Sequence, residues 1–120
     1  MQEIARLTTK LKKLSLPKNV VYCDAAYEAK TRKACIGYVT EDLKDMGYEF
    51  VVVENINEAE KRAVQLALAK YPDALICTDS KYAEASFPSG MVKYVPRRMN
   101  LANIVVRSAV EMTRSRVPHK

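Results

Sequence analysis

Three short runs of β-forming residues follow one another along the chain before any helical pattern appears. They cover residues 20–27, 34–40 and 48–55. A polar basic loop at 28–33 and a turn at Asp45-Met46-Gly47 are expected to separate them. Helical and β-forming segments then alternate, as the crossovers between parallel strands require. The order predicts an α/β fold with a five-stranded mixed sheet, three antiparallel strands followed by parallel ones, flanked by helices.

The second half of the chain supplies the remaining elements. A turn or short helix begins at Ser80, and Pro88-Ser89-Gly90 interrupts the chain. The spacing of apolar residues places the other elements. They are a helix at 57–71, a strand at 74–79, a strand at 91–95 and a closing helix at 98–114.

Residues 1–18 are expected to form an N-terminal amphipathic basic helix ahead of one domain at 19–120. The helix itself is predicted over 3–16 and ends before Pro17. Lysines lie between the members of its apolar stripe, which are Ile4, Leu7, Leu11 and Leu14. Such a stripe packs against its own domain or forms a partner interface, for example a homodimer.

Composition limits the class of protein. The chain has 120 residues, 48% hydrophobic and 28% charged, with only 3 Gly and 5 Pro, so it is neither disordered nor fibrous. The longest apolar runs are too short for a membrane helix, and residues 1–18 lack the hydrophobic region of a signal peptide. The three cysteines lie in or beside apolar runs without a C-x-x-C pair. We therefore expect buried free thiols and a cytoplasmic location.

The net charge of +6 is unevenly distributed. Residues 1–19 hold five basic and one acidic residue, and residues 90–120 hold seven basic and one acidic residue, so the middle of the chain is acidic. Two basic ends suit a polyanionic partner, and a local group of carboxylates suits a cation. The alternative is an ordinary solvated surface.

Two aspartates stand where core residues are expected. Asp24 follows the apolar run that begins at Val20, and Asp79 follows the run 74–78. The ends of strands are where α/β sheets place their sites. For Asp79 the alternative is a structural one, in which Asp79-Ser80 caps the next helix.

A glutamate lies in the middle of an apolar helix face. At 100° per residue, Glu60 is surrounded by Ala63, Val64 and Ala67, and an unpaired carboxylate there is costly. The alternative is that Asn57 caps the helix and Glu60 reaches back to the backbone of the cap.

Three carboxylates without a histidine favour particular chemistry. Oxygen ligands suit Mg²⁺ or Mn²⁺ in preference to zinc, and a pair of such ions promotes phosphodiester hydrolysis. The one histidine, His119, is next to last in the chain, so histidine-based catalysis is disfavoured. The scarcity of glycine argues against nucleotide-cofactor enzymes.

The order and spacing of these segments resemble the ribonuclease H type I family over about residues 19–113. Each motif alone is weak, but five in register are specific. They are V-V-Y-C-D-A-A at 20–26, A-C-I-G-Y-V at 34–39, N-x-A-E-x-x-A at 57–63, T-D-S at 78–80 and Y-V-P-R-R-M-N at 94–100. The resemblance implies the family's five-stranded sheet, catalysis with two divalent ions, and cleavage of the RNA strand of RNA–DNA hybrids.

Three of the family's four catalytic acids carry over, as Asp24, Glu60 and Asp79, which the resemblance makes metal ligands. At the fourth position the chain has Asn103, or Ile104 if the alignment is ungapped. We take Asn103 as the fourth catalytic candidate, although an amide is a neutral and weaker ligand than a carboxylate.

Candidate nucleic-acid contacts lie on the first hairpin and before the last helix. Sequence-independent phosphate contacts are expected from basic groups, and contacts to the 2′-OH from small polar groups such as Thr31. The candidates are Lys30, Arg32, Lys33, Asn57, Ser80, Arg97 and Arg98. For Tyr27 and Tyr82 the alternatives are stacking on the substrate or packing within the domain. For the basic residues of the hairpin, the alternative to phosphate contacts is an ordinary solvated loop.

The sequence thus predicts a metal-dependent endonuclease acting on RNA–DNA hybrids. Two alternatives stay open. One is a nucleic-acid-binding module of the same fold that has lost catalysis with its fourth acid, and the other is a related nuclease that acts on DNA.

Overall fold

The computed structural model describes residues 19–115. The predicted helix at 3–16, the dimer interface suggested for it and His119 lie outside the described residues. The elements are β1 (Val20–Glu28), β2 (Lys33–Thr40), β3 (Met46–Val52), α1 (Ile56–Lys70), β4 (Leu75–Thr78), α2 (Lys81–Ala85), β5 (Val92–Tyr94), a 3₁₀ turn (Arg97–Met99) and α3 (Ala102–Ser115).

The five strands form one mixed sheet in the order β3-β2-β1-β4-β5. The first three strands pair antiparallel, and β4 and β5 add to β1 in parallel. The predicted five-stranded mixed sheet is therefore confirmed. Short turns connect the antiparallel strands, whereas the parallel strands are reached through the helices, as right-handed crossovers require.

Helices cover both faces of the sheet. α1 packs on β1 and β2 around a core that includes Cys23, Ile36 and Val64. α3 packs on the opposite face of the same strands, where Cys35 contacts a core formed with Val106. Because neighbouring strand residues point to opposite faces, Cys35 and Ile36 belong to different layers.

The three cysteines are buried and free, as expected from the sequence. Burial raises the pKa of each thiol, and that of Cys35 to about 11. Across residues 19–115 the helices are all too short or too polar to cross a bilayer.

The predicted turn at Asp45-Met46-Gly47 is wrong. The chain turns between β2 and β3 at residues 41–44, where Leu43 adopts a left-handed φ of 63°. Gly47 lies inside β3, and a Cβ there would come within 2.7 Å of Tyr38 Cε1. This glycine therefore provides space for a tyrosine ring and does not mark a turn.

The closing helix also begins later than predicted. Residues 97–99 form a separate 3₁₀ turn, and α3 starts at Ala102. The buried Asn100 stands between the two and accepts a hydrogen bond of 3.1 Å from the Ala102 N–H.

Candidate active site

Asp24 and Asp79 come to the same level because of the register between β1 and β4. Tyr22 pairs with Cys77 in the parallel ladder, and each aspartate lies two residues further on. Asp24 does not end its strand, since β1 continues to Glu28 in its pairing with β2. It lies just beyond the last residue of β1 that pairs with β4.

Glu60 reaches the same place from α1. It is one of the buried residues of this helix, together with Ala59, Ala63, Val64 and Ala67, as the periodicity predicted. The helix is capped by other residues: Asn55 Oδ1 accepts from the Glu58 N–H at 2.9 Å, and Glu58 Oε2 accepts from the Glu54 N–H at 2.7 Å. The alternative in which Asn57 and Glu60 form the cap is therefore wrong.

The alternative in which Asp79-Ser80 caps the next helix is confirmed for Ser80 and wrong for Asp79. The next helix is capped by Ser80, whose Oγ accepts from the Ala83 N–H at 3.0 Å. The Asp79 carboxylate is left to face Asp24 and Glu60.

The three carboxylates form one cluster. An oxygen atom from each of Asp24, Glu60 and Asp79 lies within 4.8 Å of the others. Asp24 is 2% exposed and Glu60 7% exposed. Glu60 Oε2 is fully buried and has no hydrogen-bond partner among the described residues, an arrangement that is costly unless something binds it.

Burial and mutual repulsion disturb the ionisation of this cluster. Burial, followed by the charges of Asp24 and Asp79, raises the pKa of Glu60 from 4.5 to about 8, and Arg97 opposes this. Burial also raises the pKa of Asp24, against the hydrogen bond from Asn103. Both shifts are in the direction expected for desolvated neighbouring acids.

Asn103 of α3 enters the cluster. Its Nδ2 donates to Asp24 Oδ2 at 2.9 Å, whereas Ile104 is 68% exposed. Of the two residues that the sequence allowed at the fourth position, Asn103 and not Ile104 therefore lies at the site. Gly37, paired with Asp24 in the sheet, allows this approach, since a Cβ there would lie 3.0 Å from Val106 Cγ2 of α3.

Sequence reasoning missed the contribution of Asn100. Its Nδ2 lies 2.8 Å from the Cys23 carbonyl oxygen and 3.3 Å from Asp79 Oδ2, and donates to both. Asn100 therefore ties the segment after β5 to the backbone of β1 and to one carboxylate of the cluster. The available signal was an asparagine directly before a helix, a position where such side chains bond to the backbone.

The predicted basic contacts fall into two groups. Lys30, Arg32 and Lys33 are exposed on the β1–β2 hairpin, and Arg32 is 3.5 Å from Glu54 Oε2. Arg97 and Arg98 are exposed on the 3₁₀ turn. The charge of Arg97 opposes the rise in the pKa of Glu60, so it acts on the cluster electrostatically.

The remaining candidates differ in how free they are. Asn57 is exposed one turn before Glu60. Thr31 is exposed on the hairpin, where its Oγ1 accepts from the Lys33 N–H at 3.3 Å, and the Ser80 Oγ accepts within its helix cap. Tyr27 packs on the core and donates to the Glu54 carbonyl at 3.1 Å, while Tyr82 is exposed.

The cluster fits a divalent cation. Its donors are hard carboxylate oxygens from three elements, which suits Mg²⁺ or Mn²⁺. Glu60 Oε2, buried and without a hydrogen-bond partner within residues 19–115, supplies the independent indication that a ligand belongs there.

Comparisons with known proteins agree with this arrangement. The family model described as RNase H matches residues 17–114. Among solved structures, RNase H1 from the halophilic archaeon Halobacterium salinarum NRC-1 is similar in fold, with a TM-score of 0.64 and 19% sequence identity over 78% of this chain and 98% of that one. A search of curated proteins finds no match. With its sheet order, its carboxylate cluster and this match over most of its length, the chain belongs to the ribonuclease H family.

Proposed function

We propose that this protein is a divalent-metal-dependent endonuclease that hydrolyses the RNA strand of RNA–DNA hybrids. The observation that carries the proposal is the convergence of Asp24, Glu60 and Asp79 within 4.8 Å. One oxygen of Glu60 is buried there and has no partner in the part of the chain that the structure describes. Membership of the ribonuclease H family supports the substrate class.

Asp24, Glu60 and Asp79 would hold the cations, and two are expected from the family. When bound, divalent cations supply Lewis-acid activation of water and neutralise charge on the leaving oxygen. The other side chains hold the carboxylates in place. Asn103 orients Asp24 through its donated hydrogen bond, and Asn100 holds Asp79 beside β1.

Basic groups would hold the phosphates on either side of the cluster. Lys33 lies near the tip of the hairpin, four pairs beyond Asp24 in the register, so it stands about 13 Å along the sheet. The charge of Arg97 acts to lower the pKa values of Glu60 and Asp24, and Arg98 follows it on the 3₁₀ turn. Contacts from these two groups are independent of sequence and become weaker with salt. Thr31, Asn57 and Ser80 are the candidates for contacts to the 2′-OH.

Cleavage of an end-labelled RNA–DNA hybrid tests the proposal. Duplex DNA and duplex RNA serve as substrate controls, each in Mg²⁺, Mn²⁺ and EDTA. Cutting of the RNA strand is expected only with a cation and only in the hybrid. Asp24→Asn and Asp79→Asn should abolish it, whereas Asp73→Asn, the same change at an exposed aspartate outside the site, should not. Cleavage retained in either cluster variant would refute the proposed role of the carboxylates.

One observation favours a second candidate, a binding module without turnover. The fourth member of the cluster is the neutral Asn103, which donates to Asp24 and brings no charge for a second cation. This candidate predicts salt-sensitive binding of the hybrid in EDTA and no cutting with either metal. A third outcome, cutting of duplex DNA alone, would assign the site to a DNA nuclease.

The buried free thiols support the accompanying proposal of a cytoplasmic location.

A further inference from the structure

A row of exposed apolar side chains runs along the edge strand of the sheet. We call it the β3 face: Leu43, Met46, Tyr48, Phe50, Val52 and, from α3, Ile104. These residues are between 47% and 68% exposed. Single exposed apolar residues are ordinary, but a continuous row marks a surface that is covered by something.

The β3 face lies on the side of the sheet that carries α3. Alternate residues of a strand share a face, so Met46, Tyr48, Phe50 and Val52 point the same way. A Cβ at Gly37 would contact both Val106 of α3 and Tyr48 Cβ. Tyr48 and the residues that share its face therefore lie on the same side of the sheet as α3. Beside Tyr48, an apolar groove continues between β3 and α3 and is lined by Val39, Leu101, Ile104 and Val105.

The described chain begins at the end of the sheet where β3 starts. The Asn19 carbonyl accepts from the Leu75 N–H at 2.8 Å, which fixes residue 19 to the sheet. Asn19 lines a hollow at this end of the sheet together with Thr40, Asp45 and Tyr71, and Asp45 directly precedes Met46. β1 and β3 are two strands apart, about 10 Å. Met46 is level with Tyr22 across β2, three residues beyond Asn19, so Asn19 and Met46 are about 14 Å apart. The five residues back to Leu14 span up to about 17 Å, so Leu14 can reach the Met46 end of the β3 face.

The length and chemistry of residues 3–16 match the surface. A helix of 14 residues is about 21 Å long, and β3 from Met46 to Val52 extends about 20 Å. The apolar stripe of this segment, formed by Ile4, Leu7, Leu11 and Leu14, has the one-sided pattern of a helix that packs against an apolar surface. Glu41 and Asp42, exposed beside Leu43, are opposite in charge to the lysines at positions 12 and 13.

We propose that residues 3–16 of this chain dock as a helix across the β3 face, with their apolar stripe against Tyr48, Phe50 and Ile104. The docked segment extends the helical layer that contains α3 and leaves its lysines in solvent. Because Ile104 follows Asn103, the segment also supports the start of α3 next to the carboxylate cluster. This inference is independent of the proposed catalytic activity.

Cross-linking in the full-length chain tests the docking. The double variant Leu7→Cys/Phe50→Cys should form a disulfide within one chain under mild oxidation. The control Leu7→Cys/Gln65→Cys places the second thiol at an exposed position of α1, on the other face of the sheet. We expect at least a tenfold faster reaction for the first pair, read by mass spectrometry after digestion. The three native cysteines are buried and should not compete.

A second measurement does not depend on engineered thiols. Leu11→Asp should undock the segment and increase the binding of an apolar fluorescent dye, whereas Thr9→Asp, on the polar side of the helix, should not. Equal cross-linking in the two pairs, or dye binding unchanged by Leu11→Asp, would overturn the proposal. Disulfides formed only between chains, with a dimer in sedimentation velocity, would also overturn it and assign the β3 face to a second copy.

Discussion

Asn103 donates a 2.9 Å hydrogen bond from Nδ2 to Asp24 Oδ2, so the fourth side chain of the cluster is a donor. A carboxylate at this position could only accept and would repel Asp24. The amide therefore reduces the electrostatic cost of three gathered acids, while it contributes no charge to a bound cation. Compared with a site that has a carboxylate at position 103, this site is more stable without cations and binds a second cation less tightly.

Asn103→Asp should reverse this balance. Without cations the variant loses a donor and gains a like charge, so its Tm in EDTA should fall by about 5 °C, equivalent to roughly 1 kcal/mol. With Mg²⁺ the Tm gain should be larger than that of the wild type. Differential scanning fluorimetry with and without Mg²⁺ measures both effects.

The matched control for that change is Gln65→Glu, which converts an amide to a carboxylate at an exposed position of α1. It should leave the Mg²⁺-dependent gain unaltered. An equal gain in the two variants would show that the added charge acts through the general surface potential and not through the cluster.

Stability without divalent cations should fall as the pH rises from about 4.5 to about 8. Glu60 has a pKa of 4.5 when unperturbed and about 8 in the folded protein, so between these values the folded state binds more protons. A rise in pH then favours the unfolded state, with a total loss on the order of 4 kcal/mol. Urea unfolding in EDTA across this range measures the loss.

The Glu60→Gln variant separates this effect from the other titrations. It should be more stable than the wild type at pH 8 and should lose the pH dependence assigned to Glu60. The same change at the exposed Glu28 should alter neither. If wild type and Glu60→Gln lose stability in parallel up to pH 8, Glu60 is not the group that titrates.

Removing the Asn100 amide should affect both stability and the site. Asn100→Ala leaves the buried Cys23 carbonyl without this donor and frees Asp79, at a cost of about 2 kcal/mol. Any cleavage should fall further than the lost folded fraction explains, because Asp79 is no longer positioned. Urea unfolding and single-turnover cleavage together give the comparison, and Asn57→Ala, at an exposed asparagine, provides the stability control.

Gly37 and Val106 should be energetically coupled. Gly37→Ala places a Cβ 3.0 Å from Val106 Cγ2 and 3.1 Å from the Gly47 carbonyl oxygen. These neighbours must give way by a few tenths of an ångström, at a cost of about 1–3 kcal/mol. Combining it with Val106→Ala removes one of these contacts. A double-mutant cycle should therefore give a combined loss smaller than the sum of the two single losses. Strict additivity would mean that the contact with Gly47 dominates.

Helix periodicity predicted the placement of Glu60 well, because one-sided burial is encoded in the spacing of Ala59, Ala63, Val64 and Ala67. The N-cap of α1 was harder to predict from the sequence. The sequence analysis considered Asn57, whereas the structure uses Asn55, two residues earlier, whose side chain accepts from the Glu58 N–H. Because Asn55 caps the helix, Glu60 has no capping role.

The turn predicted at Asp45-Met46-Gly47 was wrong for a related reason. In sequence, a glycine after Asp45 indicates a turn, but here the small residue makes room for the ring of Tyr38 on the neighbouring strand. Such close approach is a tertiary property and leaves no local pattern. Asn100 was missed on the same ground, since its partner Cys23 is 77 residues away in the chain.

The register of the sheet has a consequence for how the protein folds. Asp24 lies in a hairpin whose strands are joined by a four-residue turn, whereas Asp79 reaches it through the parallel pairing of β1 with β4. Local hairpins close quickly, and distant pairings close slowly. We therefore expect the two aspartates to meet late in folding, so that their repulsion slows the arrival of β4 and divalent cations accelerate that step.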